Sequence, residues 1–99
     1  MIIREEWDGD ILTVKLEGRL DTLSSRELED FLQERYETAR QIIMDFEKVE
    51  YISSAGLRVL IQAYKAMKDK DGLLLRNVCE AVREVFTMTG YIHVLKIED

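Results

Sequence analysis

Proline is absent from the 99 residues, and cysteine, histidine and tryptophan occur once each. A lone Cys79 excludes an intrachain disulfide. One cysteine and one histidine, His93, cannot furnish a zinc site built from those two ligand types. A Cys–His nucleophile pair would require Cys79 and His93 to meet, and nothing in their spacing suggests it. His93 stands beside Val94 and Leu95 in a strand-like run, where a packed or half-exposed imidazole is expected. Cys79, in a first helical turn, reads as a small buried filler.

Long apolar runs are missing as well. None approaches 18 residues and no basic-apolar leader opens the chain, so neither a membrane span nor a signal peptide is expected, and a cytoplasmic location is. Positive charge is in deficit: 14 Lys and Arg against 20 Asp and Glu leave a net charge of -6. That balance argues against a nucleic-acid backbone or an anionic membrane as main partner, and favours a partner with a basic patch. Trp7, Tyr51, Tyr64 and Tyr91 are not interleaved with a basic stripe, so no nucleic-acid platform is indicated. There is no G-x-S-x-G elbow, no P-loop and no G-x-G-x-x-G. No cofactor, metal or small-molecule substrate is expected. Carboxylates are plentiful, but a general acid–base pair has meaning only once geometry brings two of them together.

What is present is a chain 46% apolar and 34% charged, the make-up of one soluble globular domain spanning residues 1–99. Ile2 to Trp7 and Ile11 to Glu17 flank Asp8-Gly9-Asp10, a hairpin signal. In the second run Leu12, Val14 and Leu16 alternate with Thr13, Lys15 and Glu17, so one face packs on a core. After Gly18-Arg19-Leu20-Asp21-Thr22, Ser24 and Glu27 form an S-x-x-E capping box, which predicts a helix from Ser25. Its apolar stripe is Leu28, Phe31, Leu32, Tyr36 and Ala39. Ile42-Ile43-Met44 reads as a short strand covered on both faces. Leu57, Leu60, Ile61, Tyr64 and Met67 mark a second helix, closed by Lys68-Asp69-Lys70-Asp71-Gly72. Leu73-Leu74-Leu75 is a further buried strand. Asn77 and Glu80 repeat the capping pattern before a short helix carrying Val82, Val85 and Phe86, and Tyr91 to Ile97 gives a last strand. The order β-β-α-β-α-β-α-β predicts an α/β domain with one mixed sheet and helices packed on it.

The corner Ser53-Ser54-Ala55-Gly56, between the third strand and the second helix, is where chemistry concentrates. Two readings fit the residues. In one, a serine simply caps the helix, contributing about 1 kcal/mol relative to alanine, and Gly56 allows a close approach or a tight entry. In the other, a serine at an exposed helix start accepts a phosphate, which free N–H donors and the positive end of the helix dipole tolerate.

Ile43-Met44-Asp45-Phe46, followed by Val49-Glu50-Tyr51-Ile52-Ser53-Ser54-Ala55-Gly56-Leu57-Arg58-Val59-Leu60, closely resembles the signature of STAS domains, in particular the bacterial anti-sigma factor antagonists. Gly18-Arg19-Leu20-Asp21 is similar to the family's Gly-x-(Leu/Ile)-Asp segment. Leu75-Arg76-Asn77-Val78, with Val82, Val85, Phe86, Thr89 and Gly90, resembles its C-terminal pattern. The resemblance implies a mixed sheet with helices mainly on one face. It also implies a binding protein rather than an enzyme, whose partner is an anti-sigma factor serine kinase and whose docking frees a sigma factor. Ser54 matches the serine that such a kinase phosphorylates. Asp21 matches an acidic residue near that acceptor, and Asp45 the aspartate ending the central strand. Docking is expected to use Asp21, Ser53, Ser54, Gly56, Leu57 and Arg58, and phosphorylation at Ser54 to weaken it.

Two departures stand out. Many members have Asp immediately before the acceptor, where this chain has Ser53, and a C-terminal fourth helix of some relatives is expected to be short or absent. A STAS interaction or scaffold module in another signalling or transport complex, without a phosphate cycle, is the alternative. A small carboxylate enzyme ranks below both.

Overall fold

The computed structural model describes residues 1–98. β1 (Ile2–Asp8) and β2 (Ile11–Glu17) form an antiparallel hairpin over the two-residue loop Gly9-Asp10, with Asp8 opposite Ile11 and Ile2 opposite Glu17. Gly9 has φ 61, the left-handed conformation that tight hairpin loops ask for. β3 (Gln41–Lys48), β4 (Leu73–Arg76) and β5 (Lys96–Glu98) add in parallel, giving the sheet order β1-β2-β3-β4-β5. The crossovers are α1 (Thr22–Gln33), α2 (Ser54–Met67) and α3 (Glu80–Thr89). The expected order and mixed sheet are those observed.

The pleat decides where the core sits. Leu12, Val14 and Leu16 of β2, Ile42, Met44 and Phe46 of β3, and Leu73 and Leu75 of β4 share one face and are buried. Leu28 and Leu32 of α1, Leu57, Leu60, Ala63 and Met67 of α2, and Val82 and Phe86 of α3 pack onto that face. Contrary to expectation, β3 and β4 are not covered on both faces. Ile43 and Leu74 point to the opposite face and are half-buried. They shield one another because Thr13, Ile43 and Leu74 lie side by side in register across three strands.

Two expectations about α1 are also corrected. The capping box lies one turn earlier than Ser24 and Glu27. Asp21 is the N-cap of α1 and Ser24 its reciprocal partner at the third position, so the helix starts at Thr22 rather than Ser25. A carboxylate and a hydroxyl satisfy the same pair of backbone donors as a serine and a glutamate, and buried Ser24 does so without reaching from solvent. α1 ends at Gln33, and the stripe residues Tyr36 and Ala39 belong to the turns that follow. Those turns are held by Lys70, whose Nζ donates to the carbonyls of Tyr36 (2.6 Å), Ala39 (3.0 Å) and Glu37 (3.2 Å).

The C-terminal region differs in kind. Gly90 closes α3 in the left-handed conformation (φ 83) and leads directly into a 3-10 turn, Tyr91–His93. Val94 and Leu95 both donate to the Tyr91 carbonyl, so the chain cannot extend until Lys96. His93 is consequently exposed and outside any strand. Nor does Asn77 cap α3: the N-cap is Cys79, without a side-chain bond. Asn77 instead takes a positive φ of 58 and donates through Nδ2 to Asp45 Oδ1 at 3.0 Å. Cys79 is half-buried, with Sγ 3.5 Å from the Val49 carbonyl.

Candidate functional site

β2 and β3 are parallel, so the segments that follow them leave the sheet at the same end. They do not separate there. Gly18 donates to the Lys48 carbonyl (3.1 Å), Leu20 to that of Tyr51 (3.1 Å), and Ser53 to that of Leu20 (2.8 Å). Leu20 and Ile52 pair as an isolated parallel bridge, both buried. Above them the Arg19 guanidinium lies 4.1 Å from the centre of the Tyr51 ring, a cation–π contact that covers the loop pair. The residues immediately after the bridge, Asp21 and Ser53, are therefore brought side by side, and each begins a helix.

The Asp21 cap is reciprocal. Oδ1 accepts from the Ser24 N–H at 3.0 Å, and Ser24 Oγ accepts from the Asp21 N–H at 2.9 Å. The Ser24 hydroxyl also donates to the Arg19 carbonyl, tying the cap to the preceding loop. The bonds from Ser24 to its carboxylate, backbone first and side chain second, hold Asp21 below the usual aspartate pKa, with a further contribution from the Arg19 charge. Ser53 Oγ accepts from the Gly56 N–H at 3.1 Å, and the Ser53 carbonyl receives the Leu57 N–H at 2.9 Å. Ser54 is the first residue of α2. It is exposed, and its hydroxyl makes no hydrogen bond among the described residues.

The two serines, indistinguishable by residue type, thus differ in what they do locally: Ser53 is consumed by the cap and Ser54 is not. Aspartate is as good an N-cap as serine. The position before Ser54 can therefore keep this cap with either Asp or Ser. Gly56 is buried where α2 crosses the bridge. A Cβ there would lie 2.8 Å from Leu20 Cγ, 2.9 Å from Ile52 Cγ1 and 3.0 Å from the Leu20 carbonyl oxygen. Leu57 is 7% exposed and also faces inward, so these two shape the corner from beneath. Asp21 and Ser53 are half-buried, and Ser54 and Arg58 are exposed. Asp45 does not end the central strand as expected: β3 continues to Lys48, and within it the Asp45 Oδ1 also accepts the Glu47 N–H at 3.0 Å. Its side-chain bonds tie β3 to Asn77, just beyond β4, and among the described residues none reaches Ser54.

Two grooves flank the corner. One, between α1 and α2, is lined by Thr22, Ser25, Arg26, Glu29, Arg58 and Val59. The other, of about 310 Å³, is lined by Ser54, Leu57, Arg58, Ile61, Lys65 and Tyr91. Sequence reasoning did not single out Lys65 or Tyr91. The Ser54, Arg58, Lys65 spacing of four and seven does place those three on one helical face, but only the fold brings Tyr91 beside them. Among the described residues, no three His, Cys, Asp or Glu side chains converge as metal ligands would, and no helix is long and apolar enough to cross a membrane.

A mixed five-stranded sheet backed by three helices on one face, with two capped helix starts clasped at one end, defines a small α/β domain whose distinctive surface is a corner rather than a cleft. The chain belongs to the STAS domain family, whose model matches residues 3–99. BtrV of Bordetella bronchiseptica, named as a candidate anti-sigma factor antagonist, is 32% identical over 92 residues, covering 91% of this chain and 78% of that protein. The anti-sigma-B factor antagonist of Staphylococcus aureus is 30% identical over 88 residues, covering 87% of this chain and 82% of that protein. The crystal structure of an anti-sigma factor antagonist from Mycobacterium paratuberculosis has the same fold, with a TM-score of 0.87 at 20% identity over 97% of this chain and 83% of that one. These relatives are named as antagonists of other proteins, and the family is one of binding proteins rather than enzymes.

Proposed function

We propose that this protein is an anti-sigma factor antagonist. It binds an anti-sigma factor that is a serine kinase, thereby freeing a sigma factor, and phosphorylation of Ser54 by that kinase switches it off. The observation that carries this reading is the division of labour at the corner. Ser53 supplies the cap, while Ser54 stands exposed at the first helical position with an unengaged hydroxyl. The names of the relatives support the antagonist role, and the family resemblance supports the acceptor position.

The physical chemistry is consistent. A phosphoryl group on Ser54 adds about 1.5 to 2 negative charges. The N–H groups of Ser54 and Ala55 have no acceptor among the described residues, so the start of α2 tolerates that charge. Docking over Asp21, Ser53, Ser54 and Arg58, on a surface shaped from below by Gly56 and Leu57, would meet a new dianion, and loss of affinity follows from repulsion and desolvation.

The test is incubation with the anti-sigma factor and ATP, with the phosphate located by mass spectrometry in the wild type, Ser54→Ala and Ser53→Ala. Phosphate on wild type and Ser53→Ala but not on Ser54→Ala is expected. Binding without phosphate at any serine would leave the alternative, an interaction module with no phosphate cycle.

A further inference from the structure

The chain carries 20 acidic residues, yet α2 contains none in its 14 positions. Its exposed cations, Arg58 and Lys65, line the groove that also includes Ser54 and Tyr91. Neither has a carboxylate partner among the described residues, a state they share with other surface cations such as Arg26, Lys48 and Lys68. Ile61 lies between the two cations along the helix, and the half-buried Tyr91 lines the same groove. The groove thus combines two cations without an ion pair and an apolar lining, on a protein of net charge -6.

We infer that this groove docks an acidic segment of the anti-sigma factor, an inference that rests on the function proposed above. Charge complementarity selects the occupant. Arg58 and Lys65 are seven residues apart, about 10 Å along the helix axis. The segment therefore presents two carboxylates at that separation, two turns apart if it is helical, with an apolar side chain between them resting on Ile61 and Tyr91. Ser54 lies at one end of the same groove. A phosphoryl group there faces the incoming carboxylates and competes with them for Arg58, so one modification acts on the whole length of the contact.

The inference is tested by titrating the anti-sigma factor, by calorimetry, against unphosphorylated wild type, Lys65→Glu, Ile61→Ser and Lys96→Glu. Lys96 is exposed on β5, away from the groove, and controls for net charge. Reversing the groove charge is expected to weaken binding by about tenfold or more, and Lys96→Glu by much less. Ile61→Ser tests the apolar middle without altering charge and is expected to weaken binding as well. A loss below about fivefold in Lys65→Glu, or an equal loss in Lys96→Glu, overturns the groove as the docking site while wild-type binding leaves the proposed function standing. Absence of wild-type binding overturns both.

Discussion

Asp21 and Ser53 each stand one residue beyond a member of the buried Leu20–Ile52 pair, and each caps the helix that follows it. The bridge therefore fixes two helix starts against each other, with the Ser53 N–H bonded to the Leu20 carbonyl between them. Ser53 supplies the cap that holds the geometry of this end of α2. Ser53→Ala removes the acceptor for the Gly56 N–H and is expected to cost about 1 kcal/mol. For a domain of this size that is a fall in melting temperature of roughly 4–8 °C. Ser53→Asp restores an acceptor at the same place and is expected to melt close to the wild type. Equal losses in the two variants would show that the cap is not what Ser53 contributes.

Gly56 is constrained by the same bridge. Alanine is the better helix former by up to about 1 kcal/mol. Its Cβ, however, would meet Leu20 Cγ at 2.8 Å and, more rigidly, the Leu20 carbonyl oxygen at 3.0 Å. Relieving that overlap means moving α2 off the loop, and overpacking of this kind costs about 1–3 kcal/mol. Overpacking outweighs propensity, so Gly56→Ala is expected to lower stability in chemical denaturation. A more stable variant would show that the loop yields freely.

Ser54 gives the opposite expectation. With its hydroxyl unengaged, Ser54→Ala should change stability by no more than about 0.5 kcal/mol. Phosphorylation places a dianion at the positive end of α2, where such charges contribute about 0.3–1 kcal/mol of stabilisation. The phosphorylated protein is therefore expected to melt no lower than the unmodified one. A clear fall in melting temperature would mean that the switch works by loosening the fold rather than by changing the docking surface.

The sheet and helix order were legible because period-two and helical spacing are written in the apolar residues. Leu12, Val14 and Leu16 declare a face without any tertiary information. The helix starts were harder, because Asp21 and Ser24 cap as effectively as Ser24 and Glu27, and sequence spacing does not rank the two boxes. At Tyr91 the apolar content of Tyr91, Ile92, Val94 and Leu95 imitates a strand, while the left-handed Gly90 sends the chain into a 3-10 turn. The corner was visible as a motif, but not its internal logic. Which serine caps depends on where α2 begins, and the clasp between Leu20 and Ile52 joins positions 32 residues apart.

Asp21 also makes the fold sensitive to acid. Its pKa is held below the usual aspartate value in the folded protein by the bonds from Ser24, so the carboxylate stabilises the folded state at pH above the unfolded value, about 3.9. That contribution is lost as pH falls through the depressed folded value. Asparagine keeps a capping oxygen but carries no charge. Asp21→Asn is therefore expected to show a shallower loss of stability on acidification than the wild type, followed by urea denaturation at a series of acidic pH values. Parallel curves would place the acid-sensitive group elsewhere.

Tyr36 sets the corresponding limit at high pH. Its phenol, half-buried in the turns after α1, is pushed up to about 12, first by burial and then by the nearby Glu29 carboxylate. The folded state thus holds this proton more tightly than the unfolded chain, whose tyrosines titrate near 10. The stability it contributes is fully present below pH 10 and is lost as pH rises from there through about 12. Phenolate absorbance should accordingly show a late titration step belonging to Tyr36. Tyr36→Phe should remove that late step. The same absorbance titration in wild type and Tyr36→Phe, apart from one fewer phenol, with no late step lost, would show that Tyr36 is open to solvent and that the turns held by Lys70 are looser than their hydrogen bonds imply.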